Sequence, residues 1–170
     1  MNILLLGMPM SGKTTVGEIL SEKMKFNFYD TDTIINEDTK YSIKENIERN
    51  GEDFFRKKES QVVKQYSSVD SSVISIGGGA ANELTISSIK EYTYRVWLKC
   101  SISILKKRYT QDEHSRPLLY NTNNIEKTLN QLLIERSNFY FICSNITINA
   151  DFSSPIELAN QILLYINEKN

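Results

Sequence analysis

Eight consecutive residues, Gly7-Met8-Pro9-Met10-Ser11-Gly12-Lys13-Thr14, carry the clearest chemistry in the chain. They match GxxxxGK[ST], a loop whose amide hydrogens turn inward and take the place of water around a polyphosphate. Gly7 and Gly12 allow backbone angles and a close approach that a Cβ would obstruct. Lys13 brings a mobile point charge for the β and γ phosphates. Thr14 brings a hydroxyl for Mg²⁺, a hard cation that takes oxygen ligands and usually keeps several waters. An apolar run leads into the loop and an amphipathic stretch leaves it, so the positive end of a helix would add to the amides. Met10, Ser11, Gly12, Lys13, Thr14 and Thr15 are therefore expected to hold a nucleotide. This loop alone leaves open hydrolysis, transfer or sensing.

Other residues bear on that choice. Asp30-Thr31-Asp32 follows the second apolar run, at the end of a strand, where open α/β sheets place their ligand crevice. If the strand continues, two carboxylates at i and i+2 diverge, so one could serve a Mg²⁺ shell and the other an acceptor hydroxyl. Either could instead cap a following helix. Arg56 and Glu59 stand at i and i+3 of an expected helix, as a routine surface pair or as an arginine that Glu59 aims at an anion. Gly77-Gly78-Gly79 follows the third apolar run. Three glycines are costly to order, and a ligand against the main chain would explain them better than a plain turn. Arg116-Pro117-Leu118-Leu119 offers an arginine that could neutralise a moving phosphoryl group. Arg136 shares a helix face with Leu129, Leu132 and Leu133. An inward arginine needs an anionic partner, and a ligand would supply one.

The elements that must position these residues alternate along the chain. Ile3–Leu6, Phe26–Tyr29, Val73–Ile76, Tyr94–Leu98 and Ile146–Ile148 are short, apolar and rich in β-branched or aromatic residues, as buried strands are. Between them lie helical patterns: Val16, Ile19, Leu20 and Met24 on one face, then a run from Ile125 through Leu133. Ser42 with Glu45 forms a capping box, and Ser154-Pro155 with Glu157 opens a last helix. Such alternation argues for a mostly parallel sheet covered on both faces, in one α/β domain. From Tyr109 to Asn124 the chain is polar and aperiodic, the kind of long loop that is often a functional lid.

Bulk composition agrees with a soluble globular domain. Of 170 residues, 40% are hydrophobic and 24% charged, and 20 basic against 21 acidic residues leave a net charge of -1. A nucleic-acid surface would call for a clustered basic excess, so no nucleic-acid partner is expected. Cys100 and Cys143 lie far apart, form no CxxC pair, and are expected as buried small hydrophobes. The apolar run at the N-terminus is too short for a signal or a membrane span, which points to a cytoplasmic protein with no membrane partner.

Taken in order, Gly7–Thr14, Asp30-x-Asp32, Gly51-Glu52-x-x-Phe55-Arg56-x-x-Glu59, Gly77–Gly79, Arg116-Pro117-Leu118-Leu119 and Arg136-x-x-x-Tyr140 resemble the shikimate kinase family over nearly the whole chain. The resemblance implies a nucleoside monophosphate kinase-like, three-layer α/β/α fold with a five-stranded parallel sheet of order 2-3-1-4-5. It implies an acceptor-binding region at about 31–61 and a lid at about 109–124. It implies ATP and shikimate as partners, Mg²⁺ as the cofactor, a monomeric enzyme, and a place in aromatic amino acid and chorismate biosynthesis. By matching residues, Arg56 and Arg136 would hold the shikimate carboxylate, with Glu59 behind Arg56 and Gly77, Gly78 and Gly79 lining the site. Asp32 would orient or deprotonate the 3-hydroxyl. Lys13 and Arg116 would stabilise the transferring phosphoryl, Thr14 would bind Mg²⁺ with Asp30 in its water shell, and Arg108 and Pro155 would sandwich adenine. The chain departs at Ile47, where the family commonly has Phe, and at Ser153 and Ser154, where relatives often carry basic residues. Two alternatives are a kinase for another acceptor, such as gluconate or a nucleotide, and a nucleotide-binding regulator without catalysis. Arg56 and Arg136 with Asp32 favour a carboxylated polyol. A regulator would be expected to lose Asp32, Lys13 or Arg116, and all three are present.

Overall fold

The computed structural model describes residues 1–80, 87, 89, 93–111 and 124–169. The elements run β1 (Asn2–Leu6), α1 (Lys13–Met24), β2 (Asn27–Asp30), α2 (Thr31–Thr39), α3 (Ile43–Asn50), α4 (Glu52–Ser67) and β3 (Ser72–Ser75). They continue with β4 (Thr93–Lys99), α5 (Ile102–Gln111), α6 (Ile125–Cys143), β5 (Ile146–Asn149) and α7 (Pro155–Lys169). Every strand expected from the apolar runs is present, with ends displaced by a residue or so. Of the stretch from Tyr109 to Asn124, Tyr109–Gln111 belong to α5 and Asn124 caps α6, its side chain accepting from the Lys127 amide at 3.0 Å. The rest of that stretch, Arg116 included, lies outside the described residues.

The five strands form one sheet in the order β2-β3-β1-β4-β5, with all neighbours parallel. β1 is central, and all five of its residues are buried. Parallel strands flanked by helices must be apolar on both faces, which is why Ile3, Leu4, Leu5 and Leu6 form a continuous run with no alternation. Helices on either face complete a core that joins β1, β3 and β4 to Val16 and Leu20 of α1, Leu129 and Tyr140 of α6, and Leu158, Ile162 and Ile166 of α7. A second, smaller core holds α2, α3 and α4 together around Ile35, Phe55 and Val62, with Ile34, Ile43, Ile47 and Tyr66 packed against it. Ile47 thus belongs to the packing of the expected acceptor region.

Local signals set the helix ends. Ser42 Oγ accepts from the Glu45 amide at 3.3 Å while Glu45 Oε2 accepts from the Ser42 amide at 2.8 Å, a reciprocal box that satisfies two end donors of α3. Ser154 and Glu157 repeat the arrangement at α7, with Pro155 in its first turn. Cys100 and Cys143 are free and buried, as expected. Among the described residues no helix is long and apolar enough to cross a membrane.

Candidate active site

The phosphate loop connects β1 to α1. Gly12 has φ 93 as the N-cap of α1, and Gly7 has φ 148 with no room for a side chain. A Cβ there would stand 2.7 Å from the Leu98 carbonyl oxygen and 2.8 Å from Ser11 Oγ. Met10 also takes a left-handed angle, φ 64, a strained conformation for a residue with a Cβ and one often found where a site needs it. Lys13 Nζ folds across the loop and donates to the carbonyls of Gly7 and Met8, at 3.0 Å each. Ser11 Oγ is buried without a hydrogen-bond partner, while Thr15 is exposed on the first turn of α1.

Thr14 Oγ1 donates to Asp30 Oδ2 at 2.8 Å, which brings the start of α1 to the end of β2. The other oxygen, Asp30 Oδ1, accepts from the amides of Asp32 at 3.1 Å and Thr33 at 3.3 Å. Asp30 is therefore both a helix cap and a partner of the phosphate loop. Its two roles were alternatives in the sequence, and the geometry makes them simultaneous. The strand ends at Asp30 and α2 begins at Thr31, so the two carboxylates part because the backbone turns helical, and not through strand alternation.

Arg108, on α5, ties the loop to the far side of the sheet. Its Nη1 donates to the Met10 carbonyl and its Nη2 to the Ala150 carbonyl, both at 3.0 Å. The guanidinium thus braces the phosphate loop against the turn that leads to Pro155, which is exposed at the start of α7.

Gly77-Gly78-Gly79 leaves the end of β3, and none of the three needs a positive φ. They are required for space. A Cβ on Gly77 would stand 2.5 Å from Asp32 Oδ1 and 2.7 Å from Glu59 Oε1. On Gly78 it would meet Pro9 Cδ at 2.9 Å and Arg136 Nη1 at 3.1 Å, and on Gly79 it would meet Arg56 Cζ at 2.7 Å. Bare main chain here is filled by side chains of α2, α4, α6 and the phosphate loop. Asp32, Arg56, Glu59 and Arg136 surround one short loop, and Pro9 joins it to the phosphate cradle.

Charge within this cluster is unevenly balanced. Arg56 donates to Glu59 Oε2 at 2.5 Å and to Glu52 Oε1 at 2.9 Å. Glu59 is 1% exposed, and burial pushes its carboxyl up to about 7 despite the pull of Arg56, with Asp32 adding to the rise. Arg136 Nη1 is buried and has no hydrogen-bond partner. One turn later on α6, the Tyr140 hydroxyl donates to the Gly78 carbonyl. Burial pushes that phenol up to about 12, with Arg136 drawing it partly back. A half-open cluster with an unspent guanidinium donor suits an organic anion, since a carboxylate there gains charge-assisted hydrogen bonds.

Of the expected site residues, Thr14 and Asp30 meet at the phosphate loop, Arg108 bonds that loop, and Asp32, Arg56, Glu59 and Arg136 meet at Gly77–Gly79. Pro155 is placed only by its position at the start of α7, and Arg116 lies outside the described residues. Sequence patterns passed over Thr31, whose Oγ1 accepts from the Gly77 amide at 3.0 Å, and the role of Pro9. Glu52 and Tyr140 stand in the motifs that carry the family resemblance, but without a role of their own. Each stands four residues from an arginine of the cluster, on the same helix face.

The family model described as "Shikimate kinase" matches residues 9–167. The chain is 38% identical over 169 residues to a shikimate kinase of Sulfurihydrogenibium sp. (strain YO3AOP1), covering 99% of both chains. It is 37% identical over 157 residues to a shikimate kinase of Clostridium botulinum (strain Langeland), covering 91% of each. Its fold matches the solved shikimate kinase of Acinetobacter baumannii in complex with shikimate with a TM-score of 0.92 and 32% identity, covering 99% of this chain and 94% of that one.

Proposed function

The chain belongs to the shikimate kinase family, a family of ATP-dependent kinases, and on that premise we propose that it transfers the γ-phosphate of ATP to the 3-hydroxyl of shikimate, giving shikimate 3-phosphate and ADP. The observation that carries the acceptor is the buried, unpartnered Nη1 of Arg136 beside Gly78, with the Arg56 guanidinium across Gly79. An unmatched buried guanidinium nitrogen is costly, and a ring carboxylate between the two arginines removes that cost.

With the carboxylate so held, the ring hydroxyls fall to Asp32, whose Oδ1 lies against Gly77. Asp32 orients the 3-hydroxyl and takes its proton as the oxygen bonds to the γ-phosphorus, while the bond from that phosphorus to the β–γ bridging oxygen breaks and ADP leaves. Pro9 lies against Gly78, which supports transfer between a donor held at the phosphate loop and an acceptor held at the glycine loop. Lys13 supplies positive charge where the phosphoryl group moves, and Arg116 is assigned to the same task. Gly12 and the amides from Met10 to Thr15 cradle the phosphates, and Arg108 with Pro155 frames the base.

The residues present fit Mg²⁺. Thr14 Oγ1 and Asp30 Oδ2 place two hard oxygens 2.8 Å apart at the loop. Among the described residues no group of three or more His, Cys, Asp or Glu is placed to hold a metal. That donor set suits an ion held largely by water and phosphate oxygens. Thr14 would hold it directly and Asp30 through water, and when bound it would offset charge on the β and γ phosphates. The same reading has the enzyme working as a cytoplasmic monomer.

A coupled assay for ADP tests the proposal. ADP should appear with Mg²⁺ and ATP only when shikimate is added, and not with gluconate or a nucleoside monophosphate. Equal turnover with gluconate would move the acceptor assignment to that acid, and nucleotide binding without turnover on any acceptor would leave only a binding protein.

A further inference from the structure

We infer that two buried hydroxyls, those of Thr31 and Tyr140, are positioning residues that clamp the Gly77–Gly79 loop from opposite sides and so aim its remaining amides at the carboxylate of the acceptor. The inference rests on shikimate as that acceptor.

The main-chain bonds of the loop can be followed one by one. The Gly77 amide donates to Thr31 Oγ1 at 3.0 Å. The Gly77 carbonyl accepts from the Ala80 amide, also at 3.0 Å, closing a tight turn. The Gly78 carbonyl accepts from the Tyr140 hydroxyl. For the amides of Gly78 and Gly79 no protein acceptor is present among the described residues, and both glycines are only half-buried. No peptide bond is cis, so the Gly78 carbonyl and the Gly79 N–H point in opposite directions across one planar unit. Holding the carbonyl toward α6 therefore turns the Gly79 N–H away from α6. The Arg136 guanidinium lies against Gly78 and the Arg56 guanidinium against Gly79. Arg56 is already paired with Glu59 and Glu52, so the donors open at this loop among the described residues are Arg136 Nη1 and the two amides, and the acceptor's carboxylate is an anion that can take them.

Neither hydroxyl is free to move. Thr31 and Tyr140 are both 0% exposed, and burying a hydroxyl is unfavourable unless it is bonded. The Tyr140 ring is packed on Trp97, with centroids 5.7 Å apart, so its tip is held at the loop. The high affinity of the phenol for its proton, up to about 12, keeps it a donor throughout the neutral range. Arg136 lies one turn back on the same helix, so the helix that brings the carboxylate's cation also brings the loop's anchor.

The test uses the full-length enzyme, Tyr140→Phe and Thr31→Val, with KM for shikimate and for ATP, kcat and thermal melting measured on each. Phe keeps the ring on Trp97 but also removes the hydroxyl's interaction with Arg136, whereas Val keeps the shape of Thr and removes only the bond to Gly77, so the two variants must agree. Each variant is expected to raise the shikimate KM about tenfold, with the ATP KM within about twofold and a melting shift of only a few degrees. With an analogue whose carboxylate is replaced by hydroxymethyl, the variants should equal the wild type. Parallel rises in both KM values, or a penalty that persists on the analogue, would make the hydroxyls merely structural. A shikimate KM within about twofold of wild type in a folded Tyr140→Phe overturns the clamp, and Thr31→Val decides in the same way if that variant does not fold. If the wild type itself ignores shikimate, the acceptor assignment fails and the clamp with it. A wild type active on shikimate with unaltered variants removes the clamp alone.

Discussion

Glu59→Gln isolates the buried carboxyl at the centre of the acceptor cluster. Glu59 is 1% exposed, bonded to Arg56 at 2.5 Å, and faced by Asp32 and Arg136, with Glu52 on the outer side of Arg56. Burial raises its pKa from 4.5 to about 7, Asp32 adds to the rise, and the two arginines oppose it. A carboxyl raised in the folded chain binds its proton there more readily than in the unfolded chain, so stability falls as pH rises between the two values. The contribution is complete below the unfolded value near 4.5 and is lost as pH passes about 7. At about 1.4 kcal/mol per pH unit, the whole interval corresponds to roughly 3 kcal/mol as a ceiling, of which roughly 2–3 kcal/mol falls above pH 5. Urea unfolding of wild type and Glu59→Gln at pH 5, 6, 7 and 8 measures it, because Gln keeps the shape and an acceptor for Arg56 but does not titrate. Wild type should lose roughly 2–3 kcal/mol relative to the variant across that range. Parallel curves would refute burial as the governing force, and a wild type that gained stability with pH would mean that the Arg56 pair outweighs it.

Three further outcomes are expected. Asp32→Asn should cut turnover by about 10²–10⁴ while shikimate still binds calorimetrically, because it removes the proton acceptor and spares both arginines; normal turnover would take Asp32 out of that role. Arg136→Ala should raise the shikimate KM by about 10–100-fold with little change for ATP, as losing a charge-assisted bond of roughly 1.5–3 kcal/mol requires, and an unchanged value would move the carboxylate elsewhere. Ser42→Ala should lower unfolding stability by about 1 kcal/mol through loss of the α3 cap, read by urea denaturation, with kcat unaltered.

Contiguous signals carried a large part of this protein. The phosphate loop is eight adjacent residues whose glycines, lysine and threonine act within one turn, so its chemistry is legible without the fold. The caps at Ser42 and Ser154 are equally local, since each partner lies three residues away. Apolar runs located the strands because a parallel sheet covered on both sides leaves no polar face to alternate with. Those patterns left other matters open. The order of the sheet came from family likeness, because apolar runs do not say which strand lies beside which. Tertiary structure decided what lies near what: β3 packs beside β1, parallel and in register, so the glycine loop after one and the phosphate loop after the other emerge at the same edge and touch through Pro9. Asp32, Glu59, Arg56 and Arg136 then arrive from three helices, and only that meeting explains three glycines that need no unusual backbone angle. The pKa of Glu59 and the spare donor of Arg136 belong to the same level. Both come from burial among distant neighbours, a property of the assembled site that no spacing along the chain can express.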